Sequence, residues 1–408
     1  MRRLVVLLVV SVFLGAAACS SSDGSKAVPA PKGLPPFYAV PAGVSRQSPG
    51  DLLKWEPISA PDINGTVDRV MYVSEDAKGK PAAVTGLLFV PAVPAPPGGF
   101  PVVSWAHATN GMAATCAPSL KPSTAVGSPA VVNAMLGLGW LVAATDYQGE
   151  GVSPGLLPYL VGGVAARNTI DIVRAAAQFP NAHAGPDYVV WGHSEGGQAA
   201  LFAWSLAGSY GGGIRMVGAI AAAAPSQLRD LYQYLGGTPN RVFDYMMLAG
   251  FNAAYGNHAA PLNAVLTSKG AALLPKLQTQ CLGPVTAAVN AYPFAQLVKT
   301  SPLDLPAWRQ LFAQNDPATF GAANSVPLLI VHGTADEVIP VTTSAQLADH
   351  LCGLGANLER WVYPDQNHGG VLFASAIDMG HWIQGRFQNS SAHYQPTGTP
   401  GVQVRTCR

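Results

Sequence analysis

Residues 188–197 read YVVWGHSEGG, and this stretch decides the fold. Its first four residues are bulky and apolar and predict a buried strand, whereas residues 198–206 predict a helix. A G-x-S-x-G sequence centred on Ser194 lies between them. On such a turn the serine hydroxyl is exposed, and glycines are required because side chains would collide with the flanking strand and helix. The pattern predicts Ser194 as a nucleophile rather than a residue of an ordinary glycine-rich turn.

Short apolar runs on both sides of this turn predict a mostly parallel sheet. They lie at residues 101–106, 140–145, 188–191, 217–223, 326–332 and 358–363, after an antiparallel hairpin at 66–73 and 83–90. Helical patterns such as residues 164–179 separate them, which indicates a sheet covered on both faces. Because ligands bind beyond the carboxyl ends of parallel strands, we expect the chemistry in the loops that follow these strands.

The strand pattern stops between residues 224 and 320, where helical, aromatic-rich segments such as 228–235 and 242–255 take over. A structureless loop of that length is uncommon in a compact domain. We therefore predict a helical cap at residues 225–320. It separates a first part of the core at 36–224 from a second part at 321–408.

A serine hydroxyl needs a base, and the base needs a carboxylate that holds its tautomer. In folds with this turn the order along the chain is serine, acid, histidine. The strand at 327–333 runs into a loop that contains Asp336, and the strand at 358–363 is followed by a loop that presents His368. We predict Asp336 as the acid and His368 as the base.

Other acidic residues and histidines lie close to these two in the sequence. Glu337 is adjacent to Asp336 and is predicted to point the other way, and Asp365 is predicted to be a turn residue after Pro364. His332 belongs to the end of a strand and His381 to the helix after His368. None of the four is predicted to take part in the reaction.

Stabilising an oxyanion requires two backbone N–H groups, one of them from the residue after the nucleophile. That residue is Glu195. The second donor is expected in the loop within WAHATNG, residues 105–111, where Thr109 is the first choice and Ala108 the alternative. His107 precedes the serine in the chain and is predicted to shape this loop.

The first residues predict an export signal: a basic start is followed by an apolar stretch at residues 4–14 and by GAAAC at 15–19. The apolar stretch is too short to span a bilayer permanently. We predict that residues 1–18 are removed, that Cys19 becomes lipidated and attaches the protein to a membrane, and that residues 19–35 are a flexible tether. Ordinary cleavage after Ala18, without a lipid, is the alternative.

The composition excludes some classes of function. Hydrophobic residues make up 49% of the chain and charged residues 11%, which is enough for a sizeable core. Without Arg2 and Arg3, 21 of the 23 basic residues remain against 22 acidic ones, and they form no basic run. A nucleic-acid partner is not expected, because binding a phosphate backbone requires clustered Lys and Arg.

Four cysteines remain after Cys19, namely Cys116, Cys281, Cys352 and Cys407. In an exported chain an even set predicts two disulfides, but four cysteines allow three pairings. Zinc is a less favoured alternative because no two of them form a C-x-x-C half-site. The predicted reaction needs neither a metal nor an organic cofactor.

Several segments together resemble the secreted lipases related to Candida antarctica lipase A and their actinobacterial relatives. They are WAH at 105–107, CAPS at 116–119, DYQGEG at 146–151, PYL at 158–160, GHSEGG at 192–197, NDP at 315–317 and residues 332–340. The resemblance implies an α/β-hydrolase fold and hydrolysis of carboxylic esters, acylglycerols among them, through an acyl-enzyme on Ser194. It also implies a cap that forms much of the acyl pocket, and the disulfides Cys116–Cys281 and Cys352–Cys407. Relatives carry Gly where this chain has Ala108.

Three other functions remain open. An acyltransferase would use the same three residues with an alcohol in place of water, and a peptidase would use them on an amide. A surface-anchored binding protein on a retired hydrolase scaffold would be expected to lack one of the three, and this chain has them all.

Overall fold

The computed structural model describes residues 26–152 and 156–407. In that part of the chain ten strands form one sheet. The strands are β1 Leu52–Pro57, β2 Gly65–Glu75, β3 Pro81–Pro91, β4 Phe100–Ala106, β5 Leu141–Thr145, β6 Ala184–His193, β7 Arg215–Ala222, β8 Leu328–Gly333, β9 Leu358–Tyr363 and β10 Gln403–Cys407. Their order across the sheet is β1-β2-β3-β5-β4-β6-β7-β8-β9-β10.

The six strands predicted from apolar runs form the parallel part of this sheet. Neighbours from β5 through β4, β6, β7 and β8 to β9 pair in parallel, whereas β1, β2 and β3 pair antiparallel with their neighbours. Helices cover both faces, so these strands are apolar throughout rather than alternating. The mostly parallel fold and the opening hairpin are confirmed.

The helices on the two faces explain that pattern. They are α1 Pro129–Gly137, α2 Gly162–Gln178, α3 Glu195–Leu206, α4 Leu228–Gly236, α5 Val242–Ala259, α6 Leu262–Val265, α7 Ser268–Leu277, α8 Leu282–Asn290, α9 Pro306–Gln314, α10 Val341–Gly353, α11 Gly370–Ala374 and α12 Ala376–Phe387. Tyr188 and Val190 of β6 pack with α2, α3 and α10, whereas Val189 and Trp191 pack with α1 and α12. Side chains of one strand alternate between the two layers.

Two edge strands were not predicted. Strand β10 has the sequence QVRTC and is largely exposed, and it pairs antiparallel with β9. Strand β1 is only partly buried and pairs with β2 at the other edge. An edge strand packs against fewer neighbours than a central strand, so its sequence need not be rich in apolar residues.

Residues 225–320 are helical, from α4 to α9. Their buried side chains, among them Met246, Phe251 and Trp308, belong to one hydrophobic cluster. The same cluster includes Tyr159 from the segment before α2, so the insertion packs directly on the loops beyond the sheet.

In the N-terminal segment, the backbones of Val28 and Val40 exchange hydrogen bonds of 2.9 and 2.8 Å. The predicted signal segment and Cys19 lie outside the described residues. Within the described ranges, no helix combines the length and apolar character that crossing a bilayer requires.

The described residues contain two disulfides, Cys116–Cys281 and Cys352–Cys407, with Cα–Cα distances of 5.5 and 5.7 Å. These are the two pairs that the family resemblance implies. The second joins α10 to β10 at the edge of the sheet. The first joins the segment after β4 to the start of α8, and therefore connects the core to the insertion.

Candidate active site

Ser194 lies on the turn between β6 and α3, with a φ of 57° that is unusual for a residue other than glycine. The surrounding backbone is in close contact. A Cβ atom on Gly192 would lie 1.9 Å from the carbonyl oxygen of Gly196, and one on Gly196 would lie 1.9 Å from that of Ala106. Glycine is therefore required on both sides of Ser194, as the sequence motif predicts.

The structure brings Ser194, His368 and Asp336 into one hydrogen-bonded chain. The Nε2 atom of His368 lies 2.9 Å from Oγ of Ser194, and its Nδ1 lies 2.8 and 3.0 Å from the two carboxylate oxygens of Asp336. Strands β6, β8 and β9 end at the same edge of the sheet, so residues far apart in sequence meet there. A serine, a histidine and a carboxylate in this arrangement can act as nucleophile, base and orienting acid.

The carboxylate of Asp336 is held in its ionised form. Burial alone would raise its pKa, but hydrogen bonds from the His332 and His368 side chains, and the charges of those imidazoles, hold the pKa well below its usual range. The backbone N–H groups of Val338 and Ile339 donate to the same carboxylate at 2.9 and 2.8 Å. Asp336 is therefore ionised at neutral pH and accepts a hydrogen bond from Nδ1–H of His368.

Two further histidines contact this chain, and the sequence analysis gave neither a role. His332 places Nε2 3.2 Å from Asp336, and its Nε2–H also donates to the carbonyl of Ile339 at 2.9 Å. His193 donates Nε2–H to the carbonyl of His368 at 2.8 Å, and the two rings lie 4.9 Å apart. Burial and the neighbouring His368 lower the pKa of His193 to about 4, so its imidazole is neutral at pH 7. The sequence signal that could have identified His193 is its position directly before Ser194.

The prediction for Glu337 is wrong in one respect. Its carboxylate does not point away from the histidine loop but accepts the backbone N–H of His368 at 3.1 Å. The hydrogen bond is to the backbone and not to the imidazole ring. Asp365 is an exposed turn residue with a φ of 56°, and its N–H donates to Thr334 at 2.8 Å. His381 contacts Tyr394 through Nδ1 at 2.9 Å.

Residues 107–111 form a loop after β4, which we call the 107–111 loop. It contains Thr109, whose hydroxyl lies 3.0 Å from the hydroxyl of Tyr159. The carbonyl of Asn110 accepts the N–H of Leu282 at 2.8 Å, so the loop is attached to the insertion. The other predicted donor, Glu195, is the first residue of α3, and Gly196 beside it packs against the carbonyl of His107 in this loop.

Buried ionisable side chains lie in and next to the 107–111 loop. The imidazole of His107 faces Glu150 through Nε2 at 3.0 Å and the carbonyl of Ala108 through Nδ1 at 2.7 Å. Burial opposes its charged form, but the charge of Glu150 and the hydrogen bond to it raise the pKa of His107 to about 9. Burial raises the pKa of Glu195 to about 8. In the described part of the chain, no three His, Cys, Asp or Glu side chains are grouped to hold a metal ion.

Comparison with known proteins assigns the family. The secretory lipase family model matches residues 119–394. Lipase A of Moesziomyces aphidis is 25% identical over 380 residues, which cover 87% of this chain and 80% of that protein. A probable inactive lipase of Mycobacterium tuberculosis is 25% identical over 370 residues, 86% of this chain and 81% of that protein.

A solved structure shows the same fold. Candida antarctica lipase A superposes with a TM-score of 0.77 at 22% identity, over 90% of this chain and 88% of that one. The family match spans both parts of the core and the insertion between them. The chain belongs to the secretory lipase family and is a carboxylic ester hydrolase of the α/β-hydrolase fold.

Proposed function

We propose that the protein is an exported lipase or carboxylesterase that cleaves acyl esters, acylglycerols among them, through an acyl-enzyme on Ser194. The observation that carries this proposal is the hydrogen-bonded chain from Ser194 through His368 to Asp336. One relative is named as inactive, whereas in this chain all three residues are present and in contact. That contact favours an active enzyme over a binding protein on a retired scaffold.

The geometry supports a two-step reaction. His368 accepts the Ser194 proton as Oγ attacks the ester carbonyl, and Asp336 stabilises the imidazolium that forms. The N–H groups of Glu195 and Thr109 are proposed to donate to the oxyanion. The imidazolium then gives its proton to the leaving alcohol. In the second step His368 deprotonates a water molecule, which attacks the acyl-enzyme and releases the acid and free Ser194.

Export and membrane attachment rest on the N-terminal sequence together with the disulfides. Disulfides persist in oxidising compartments outside the cytosol, and two are present here. We propose that residues 1–18 direct export and that a lipid on Cys19 holds the protein at a membrane surface. Mass spectrometry of the mature N-terminus tests this: a diacylglyceryl-modified Cys19 supports the anchor, and an unmodified Cys19 after cleavage at Ala18 contradicts it.

The helical insertion is proposed to act as the cap that selects the acyl chain. The hydroxyl of Tyr234 and the side-chain amide of Asn240 donate to the carbonyl of Glu337 at 3.3 and 3.0 Å, directly beside the acid. On the other side of the site, Leu282 donates to Asn110 of the 107–111 loop. The insertion is therefore connected to the loops on both sides of Ser194, and Ser194 itself is buried.

The cap proposal predicts a change in acyl preference. Gly250 of α5 packs against Tyr159, and Met246 and Met247 lie four and three residues earlier, on the same helix face. Met246→Ala and Met247→Ala are each expected to change the ratio of kcat/KM for a butyrate and a laurate ester by about tenfold. The measurement is hydrolysis of p-nitrophenyl esters of increasing chain length. Ile377→Ala, on the exposed face of α12, is the control, and equal effects on every chain length would contradict a cap role.

The disulfides are expected to differ in their effect on the site. Replacing either pair with Ala should lower the free energy of unfolding by about 2 to 4 kcal/mol, because the unfolded chain gains freedom. Loss of Cys116–Cys281 should also lower kcat, since this bridge attaches the segment that follows the 107–111 loop to the start of α8. Loss of Cys352–Cys407, at the sheet edge, should reduce stability without that change. Urea titrations and ester kinetics on both double variants decide the matter, and equal kcat values would refute the distinction.

A further inference from the structure

The side chain of Glu195 takes no part in the proposed reaction, although Glu195 directly follows Ser194 in the chain. Its accessible fraction is 2%, and one of its carboxyl oxygens has no hydrogen-bond partner. Glu195 is held in place on the turn between β6 and α3, because Gly196 beside it packs tightly against the carbonyls of Ala106 and His107. A buried, partly unpaired carboxyl group on the residue next to the reacting serine requires an explanation.

The charges around Glu195 show which form it takes. In the described residues the charged groups that act on it are His107, at the start of the 107–111 loop, and Glu150, from the loop after β5. Tyr147 and Tyr159 interact with it electrostatically, and the Tyr147 hydroxyl donates to the carbonyl of His107 at 3.0 Å. The Thr109 hydroxyl hydrogen-bonds with Glu195 and opposes the rise in its pKa. A single imidazole, that of His107, thus acts on two carboxyl groups, those of Glu150 and Glu195.

Glu150 is the carboxylate that takes the charge of His107. Its Oε2 lies 3.0 Å from Nε2 of His107 and accepts the backbone N–H of Tyr147 at 3.0 Å. Both ring nitrogens of His107 face oxygen atoms, as an imidazolium requires. The His107–Glu150 pair is therefore neutral as a unit, so the charge of His107 only partly offsets the cost of burying a negative charge on Glu195. An unpaired buried carboxylate is costly, so Glu195 holds its proton.

We propose that Glu195 is a positioning residue that acts as a neutral carboxylic acid, holding Thr109 so that the N–H groups of both residues converge on the oxyanion. This inference rests on the proposed function. Glu195 and Thr109 are the two residues proposed to donate to the oxyanion, and the Glu195 side chain links them. The Glu195 carboxyl group hydrogen-bonds with the Thr109 hydroxyl, which in turn lies 3.0 Å from the Tyr159 hydroxyl.

The inference predicts an alkaline limit to activity. Burial raises the pKa of Glu195 from its ordinary 4.5 to about 8, so the group is neutral below pH 8 and ionises above it. An ionised Glu195 carboxylate beneath the 107–111 loop would repel the oxyanion, and it would have no O–H to donate. Because the folded pKa is the raised one, the stability contribution of the proton is complete below pH 4.5 and disappears as the pH rises through 8.

The test compares kcat and KM from pH 5 to 10 for wild type, Glu195→Gln and Glu195→Leu on a soluble ester. Glu195→Leu is expected to lose at least about tenfold in kcat at pH 7 with little change in KM, because the loss affects the oxyanion alone. Glu195→Gln keeps a neutral donor and should recover most of that loss. Above pH 8 the wild type should decline and Glu195→Gln should not. Glu337→Gln, which also changes a Glu beside the site, should retain the wild-type decline.

A second readout is independent of catalysis. Glu195→Gln should be more thermally stable than wild type at pH 9, because at that pH only the wild type carries the buried charge. At pH 4 the two proteins should not differ in this way. A wild-type kcat that stays constant from pH 7 to 9.5, or a Glu195→Gln variant that shares the wild-type decline and gains no stability, would overturn the inference. If neither the wild type nor any of the variants hydrolysed esters, the proposed function would fail. The stability comparison would still decide whether Glu195 is protonated.

Discussion

Replacing Ser194 with Ala is expected to lower kcat roughly 10⁶-fold. The reason is that His368 would have no hydroxyl to deprotonate, so no acyl-enzyme could form and only binding and oxyanion stabilisation would remain. The backbone of the elbow should persist, because alanine fits wherever serine does. Turnover of p-nitrophenyl butyrate, measured after circular dichroism has shown the native spectrum, gives the answer.

The matched control is Ser226→Ala. Ser226 is a fully buried serine whose hydroxyl donates to Gln227, outside the Ser194–His368–Asp336 chain. It should retain most of the activity. Near wild-type turnover by Ser194→Ala, or an equal collapse in both variants, would show that the nucleophile has been assigned wrongly.

The second large effect is expected at the acid. Asp336→Asn should lower kcat on the order of 10⁴-fold, because an amide donates where the carboxylate accepts and stabilises the wrong tautomer of His368. Asp365→Asn and Glu337→Gln should cost about tenfold or less. Asp365 is exposed on its turn, and the amide introduced by Glu337→Gln would still offer an oxygen to the backbone N–H of His368.

The kcat values of these three variants can be compared directly when all are measured on one substrate and circular dichroism shows that each is folded. Asp336 accepts from the imidazole at 2.8 Å, whereas the contact of Glu337 is with the His368 backbone at 3.1 Å. A collapse of Asp365→Asn beside a nearly intact Asp336→Asn would overturn this assignment of the acid.

The sequence predicted the parallel strands and the three residues at their ends, for a physical reason. Strands buried on both faces must be apolar throughout, and the turn around Ser194 requires glycines that no side chain can replace. Chain order then left Asp336 and His368 as the acid and the base. Strands β1 and β10 escaped prediction because an edge strand has fewer apolar neighbours to contact.

What the sequence could not provide was the direction of individual side chains in loops. Glu337 was expected to point away from the histidine loop, yet it accepts a hydrogen bond from that loop, because β8 and β9 are adjacent in the sheet. The contact of His193 with the His368 carbonyl joins residues from β6 and from the loop after β9. Such contacts depend on tertiary structure rather than on local pattern. The cysteine pairing likewise needed the family resemblance, since counting alone leaves three choices.

Labelling with a fluorophosphonate, followed by peptide mapping, tests the central claim most directly, because only an activated serine reacts with the probe. We expect one adduct per molecule, on the peptide that contains Ser194, with ester hydrolysis lost in proportion to labelling. His368→Ala should remain unlabelled under the same conditions. Hydrolysis that continues in fully labelled protein, or an adduct on a different serine, would contradict the proposed reaction.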